Sequence, residues 1–141
     1  MSYRILIADN DPYYHCMYLN YFENMNCEIT SVKDGKEALL LLLENAYNLA
    51  IIDANLAGYK GIDIVSALHE NDSLTPVIVV SGDETAEMER TVRGVAPAYY
   101  FIKPFEMSDM MMVACTLLSL TSNVNSSIFF ESAATAQTLL Q

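Results

Sequence analysis

Leu49-Ala50-Ile51-Ile52-Asp53 decides the fold: an unbroken apolar run that ends at a carboxylate and is followed by the turn-forming Ala54-Asn55-Leu56-Ala57-Gly58. A short apolar run without polar alternation reads as a strand covered on both faces, as in a parallel sheet. Three other runs repeat the form. Ile5-Leu6-Ile7-Ala8 ends at Asp9, Val77-Ile78-Val79-Val80 at Ser81, and Tyr99-Tyr100-Phe101-Ile102 at Lys103. If these strands are parallel, their C-terminal ends share the sheet edge at which open α/β sheets bind ligands. Asp9, Asp53, Ser81 and Lys103 are therefore expected to converge.

Around these strands the chain alternates. Strand Arg4 to Ala8 leads through Asp9-Asn10-Asp11-Pro12, a turn that can start a helix because proline suits the first helical position. The helix is predicted over Tyr13 to Asn24, with Tyr14, Tyr18, Tyr21 and Phe22 as a core-facing stripe and His15 on the surface. A second strand is predicted over Glu28 to Val32. The Asp34-Gly35 turn then opens a helix over Lys36 to Asn45, whose leucines make it apolar nearly all round and suggest good cover. Ile62, Val65 and Leu68 mark a helix over Ile62 to Glu70. Asp83 to Arg93 reads as a polar helix ended by Gly94, with few core residues and the most freedom to move. The last helix of this unit runs from Glu106 to about Leu120.

Strand and helix alternate five times, which predicts an α/β domain over residues 1–120 with right-handed crossovers. The flavodoxin-like doubly wound order 2-1-3-4-5 fits this count, with helices on both faces, and makes Asp9 and Asp53 neighbours at the switch point. Residues 121–141 read as a polar linker and a short C-terminal helix over Ile128 to Leu140. Met107, Met110, Met111, Met112, Val113, Leu117, Leu118 and Leu120 are more apolar side chains than one buried helix face absorbs. The tail, or a second copy of the chain in a homodimer, is one expected cover, and a helix fully packed by the sheet and its neighbours is the alternative.

Composition narrows the function. A chain of 141 residues that is 52% hydrophobic can bury one domain core. With 7 basic against 18 acidic residues and a net charge of −11, it repels phosphate backbones and anionic lipid, so no direct nucleic-acid partner and no membrane is expected. Three cysteines without metal spacing and no N-terminal apolar segment of signal-peptide length suggest a cytoplasmic setting, and no apolar run reaches the roughly 20 residues needed to span a bilayer, so a soluble protein is expected. Two carboxylates at a wet sheet edge suit Mg²⁺, which is held by one or two carboxylates plus water and phosphate oxygens. A lysine and a hydroxyl can grip phosphoryl oxygens, and one carboxylate could accept a phosphoryl group. Taken singly, these residues are as readily turn formers, a helix cap and a solvated charge; it is their joint occurrence at four strand ends that carries the reading.

The motifs Ile5-Leu6-Ile7-Ala8-Asp9-Asn10-Asp11-Pro12, Ile51-Ile52-Asp53-Ala54-Asn55-Leu56-Ala57-Gly58, Val79-Val80-Ser81-Gly82 and Tyr100-Phe101-Ile102-Lys103-Pro104-Phe105 resemble, in order, the receiver domain of two-component response regulators. The resemblance implies a signal-transduction phosphoprotein of a phosphorelay, in which Asp53 is the phosphoacceptor. The donor would be a histidine kinase or phosphotransfer protein, and the output a downstream protein partner. Asp9, Asn10, Asp53 and the Asn55 carbonyl would form the magnesium site. Ser81 and Lys103 would complete the catalytic set, and Ser81 with Tyr100 the switch. Gly82 would leave an approach to Asp53, and Asn55 and Asp83 would flank the place where hydrolysis is tuned. Such a domain catalyses its own phosphorylation and dephosphorylation and is no conventional enzyme.

One position departs from the family pattern. Where the family usually has a second acid as direct metal ligand, this chain has Asn10, which predicts weakened Mg²⁺ binding and leaves open a phosphorylation-independent, receiver-like interaction module. A flavin-binding protein of the same fold is disfavoured, because no phosphate-cradling loop replaces Asp9 and Asp53. Ala57, commonly proline in the family, loosens a turn.

Overall fold

The computed structural model describes residues 2–121. Five strands, β1 (Tyr3–Ala8), β2 (Cys27–Val32), β3 (Leu49–Asp53), β4 (Val77–Ser81) and β5 (Tyr99–Ile102), alternate with α1 (Pro12–Phe22), α2 (Gly35–Glu44), α3 (Gly61–Glu70), α4 (Ala86–Val95) and α5 (Met107–Thr121). All strand pairs are parallel and the sheet order is β2-β1-β3-β4-β5, as expected.

Alternation along each strand divides the core. Ile5, Ile7, Leu49, Ile51, Ile78, Val80 and Phe101 pack on one face against Tyr14, Tyr18 and Phe22 of α1 and Met107, Met110, Val113 and Leu117 of α5. Leu6, Ala8, Ala50, Ile52, Val77 and Val79 pack on the other against residues of α2, α3 and α4. Both faces are thus covered, which is why the central strands carry no polar alternation.

Helix starts follow local chemistry. The Asp11 carboxylate accepts the Tyr13 amide with Pro12 as first helical residue, and Asp34 accepts the Glu37 amide at α2. Two expectations on α4 are corrected. The helix begins at Ala86, because the Asp83 carboxylate takes the Thr85 amide at 2.9 Å and Thr85 caps instead. It also runs through Gly94 and stops at Ala96, which has the left-handed φ of 51°.

Other corrections concern cover. Tyr21 leaves the aromatic stripe and is 46% exposed, and Leu40 and Leu43 of α2 are exposed rather than covered. His15 is half-buried and has partners: its ring lies against the Ser31 hydroxyl, and Nδ1 is 3.3 Å from the Asp9 carbonyl. On α5, Met107, Met110, Val113, Leu117 and Leu118 are buried while Met112 and Leu120 are exposed, so the surplus of apolar residues is real. Val92 is the buried residue of α4. The linker and C-terminal helix expected over 121–141 lie outside the described residues, Thr121 apart, which closes α5.

Candidate functional site

Strand register builds the site. Ala8 pairs with Ile52 and Asp53 with Val80, while Ser81 pairs with Ile102. Asp9 therefore leaves the sheet at the level of Asp53, and Lys103 two residues beyond it. Backbone bonds continue the ladder past the strand ends: the Asp9 amide donates to Val32, the Ala54 amide to Val80, and the Lys103 amide to the Ser81 carbonyl at 2.8 Å. The Lys103–Pro104 peptide is cis.

Lys103 Nζ lies 2.9 Å from Oδ2 of Asp9 and 2.9 Å from Oδ2 of Asp53. The bond to Asp53 is well aligned, whereas Asp9 Oδ2 is buried with no hydrogen-bond donor in line. The outer oxygens are tied to the loops. Asp9 Oδ1 accepts the Asp11 amide at 2.9 Å, and Asp53 Oδ1 accepts the Asn55 amide at 2.8 Å. Asp9 is 1% exposed and Asp53 8%.

Burial dominates the charge states. It pushes the Asp9 carboxyl above its ordinary 3.8, against the opposing pull of the Asp11 amide and of Lys103. For Lys103 burial acts downward, but the contacts with Asp53 and Asp9 outweigh it and hold the ammonium above 10.5. A buried carboxylate oxygen whose near partner is an off-line cation is a donor suited to a small hard cation, so Asp9 and Asp53 fit a magnesium site.

The remaining expected residues lie around this cluster. Ser81 is fully buried, and its hydroxyl is engaged with Asp83, whose amide donates to Oγ at 3.0 Å. Tyr100 is half-buried, and its hydroxyl donates to the Asp83 carbonyl at 3.3 Å. Burial raises the Tyr100 hydroxyl above its ordinary 10, with the Ser81 hydroxyl opposing that rise. Ser81, Asp83 and Tyr100 therefore form one hydrogen-bonded group on the β4–α4 loop. Asn10 and Asn55 are exposed at the rim. Asp11 serves as the α1 cap. Gly82 is exposed, and a Cβ there would meet nothing within 4 Å.

Sequence reading missed Tyr14 as a site residue. It was placed in the core stripe, where it does sit at 8% exposure, yet its ring centroid lies 4.4 Å from Lys103 Nζ. Helical spacing marks the buried face but not which distant residue lies above it, so no sequence signal carried this contact.

Comparison with known proteins agrees with the fold and the motifs. The family model described as the response regulator receiver domain matches residues 5–114. The transcriptional regulatory protein SrrA of Staphylococcus aureus is 30% identical over 125 residues, which cover 87% of this chain and 51% of that protein. The chain thus spans about half the length of the curated relatives it matches. Among solved structures, the Francisella response regulator 1452 receiver domain is 27% identical with a TM-score of 0.78, covering 86% of this chain and 100% of that one. The receiver domain of sensor histidine kinase PA1611 from Pseudomonas aeruginosa PAO1, whose active-site cleft holds a magnesium ion, has a TM-score of 0.73 at 15% identity, covering 84% and 98%. Sheet order, strand-end residues and family match together make this chain a member of the response regulator receiver domain family of two-component systems.

Proposed function

We propose that this receiver accepts a phosphoryl group on Asp53 from a phosphohistidine donor, a histidine kinase or phosphotransfer protein, and signals the change to a downstream protein. The observation that carries the proposal is the Lys103 ammonium 2.9 Å from both Asp9 and Asp53 at the open edge of the sheet. An Asp53 carboxylate oxygen attacks phosphorus, the P–N bond breaks, and its electron pair leaves with the imidazole nitrogen. The product is an acyl phosphate on Asp53. Water returns the site by attacking phosphorus, giving inorganic phosphate and the free carboxylate. Such transfers require mainly alignment and charge neutralisation.

Asp9, Asp53 and the Asn55 carbonyl would hold Mg²⁺, with Asn10 offering an amide oxygen in place of a charge. When bound, the metal supplies positive charge against the phosphoryl oxygens. Lys103 would meet one of those oxygens from the protein side. Ser81 would leave Asp83 to reach another, releasing the hydrogen-bonded group that holds Tyr100, and α4, with its small buried face, would follow.

Asn10 favours a second reading, a receiver-like module that binds its partner without phosphorylation. Incubation with a small phosphodonor and Mg²⁺ followed by intact mass measurement separates the two. A mass gain absent from Asp53→Asn supports the phosphoacceptor. No gain at millimolar Mg²⁺ supports the module.

A further inference from the structure

Among the described residues three groups lie around the Lys103 ammonium, and two of them are the carboxylates already described. The third is the ring of Tyr14, its centroid 4.4 Å from Nζ. A cation at that distance is attracted by the ring quadrupole, more strongly where water is excluded. Tyr14 lies in the first turn of α1 at 8% exposure. Its ring is held in turn by Phe105 at 5.3 Å and by the edge of Tyr13 at 5.2 Å, with Tyr18 one helical turn further at 6.3 Å. Phe105 follows Lys103 by two residues, and its ring also packs on Phe101 at 5.1 Å. The ring is thus fixed by the same loop that carries the lysine.

We propose that Tyr14 is a positioning residue for Lys103, its ring face holding the ammonium at the phosphorylation site without adding charge there. The inference rests on the reading that Lys103 serves phosphorylated Asp53. Once Asp53 carries a phosphoryl group, the carboxylate that held Lys103 is changed, and Asp9 and the ring remain. A third carboxylate in place of the ring would also hold the lysine, but it would repel the incoming phosphoryl oxygens. An aromatic face attracts the cation and leaves the net charge of the site unaltered. Burial keeps the Tyr14 hydroxyl above its ordinary 10, so the ring stays a neutral phenol.

The test uses selectively labelled lysine side chains and two kinds of variant. Lys103 Cε protons above a ring are shifted upfield, and this shift is expected in the wild type and in Tyr14→Phe but not in Tyr14→Leu or Tyr14→Met. Methionine, which fills irregular apolar gaps, guards against a leucine variant that fails to fold. With a small phosphodonor and Mg²⁺, the ringless variants are expected to take up phosphate about tenfold more slowly, and phenylalanine to restore the rate. An upfield shift that survives loss of the ring, or a ringless variant with the wild-type rate, would overturn the proposal. A wild type that takes no phosphate overturns the phosphoacceptor reading instead, and the resonance comparison still decides whether the ring holds Lys103.

Discussion

Lys103 and Asp53, 50 residues apart in sequence, meet at 2.9 Å because each lies at the end of a strand in one parallel sheet. Removing the lysine leaves two carboxylates facing each other in a largely buried site. Lys103→Met is therefore expected to lower stability near neutral pH by about 3 kcal/mol, as loss of one partner of a buried pair does. Denaturant unfolding across pH checks it. The folded-state value of Lys103 is raised above 10.5, so its contribution is complete below 10.5 and is lost as pH rises through the folded value. The difference between wild type and variant should be steady from neutrality to about pH 10 and shrink above it.

Asp9 carries the opposite sign from most carboxylates. Its folded-state value lies above 3.8, so the folded protein binds more protons than the unfolded chain in the window just above 3.8, and stability falls as pH rises through it. Asp9→Asn keeps an oxygen to accept the Asp11 amide and removes the buried charge. Metal-free Asp9→Asn is expected to be more stable than wild type at neutral pH by about 0.5–2 kcal/mol, in keeping with sites kept for function at the expense of stability. Thermal unfolding in chelator measures this, and a less stable variant would contradict it.

Asn10→Asp restores a charge at the rim. Outer contacts to bound metals are worth about 10- to 100-fold in affinity, and a direct charge should be worth at least as much. Calorimetric Mg²⁺ titration of both proteins is the measurement, with faster phosphorylation of the variant expected at limiting metal. Equal affinities would place residue 10 away from the metal.

Gly61 and Gly82 flank the same site and should respond differently to alanine. A Cβ on Gly61 would lie 2.0 Å from the Asp53 carbonyl oxygen and 2.8 Å from Ile52 Cγ2, whereas at Gly82 nothing lies within 4 Å. Gly61→Ala is expected to lose about 1–3 kcal/mol, typical of overpacking against atoms that cannot step aside. Gly82→Ala should stay within about 0.5 kcal/mol of wild type. Chemical denaturation of the pair gives the comparison.

The Thr85 hydroxyl accepts the Met88 amide at 3.2 Å and caps α4. Thr85→Ala is expected to weaken the helix by about 1 kcal/mol. Because α4 is seated on the core mainly through Val92, hydrogen exchange should accelerate over residues 86–95 with little change in global unfolding. Uniform acceleration over the whole sheet would show that α4 does not open on its own.

What sequence made legible was set by range. The apolar runs at Ile5, Leu49, Val77 and Tyr99 announced the strands within a residue or two, because burial on both faces leaves a local composition signal. Their terminal residues announced the site, and the structure joins Asp9, Asp53 and Lys103 directly. Ser81 was named with them, but its hydroxyl is engaged with Asp83 in this state, a choice between partners that strand ends do not encode. The start of α4 was misplaced because Asp83 caps a turn before Thr85 caps the helix, and the two carry the same sequence signal. Leu40 and Leu43 look like core leucines in sequence and differ from Leu42 only by rotation about the helix axis. The contact between Tyr14 and Lys103 depends on how α1 seats beside the end of β5, which no spacing within α1 specifies.

The glycines around the Asp53 edge make one side of it tight and leave the other open. On the β3–α3 side, Gly58 at φ +84° sits where a Cβ would be 2.1 Å from the Asp34 carboxylate, Gly35 abuts the Tyr59 carbonyl, and Gly61 abuts Asp53 itself. On the β4–α4 side, Gly82 faces open space and the hydroxyls of Ser81 and Tyr100 meet at the Asp83 backbone. A side chain is therefore excluded on the first side and admitted on the second. If Asp53 takes the added group as proposed, the β4–α4 loop is the side with room beside it, and a signal would leave the domain there.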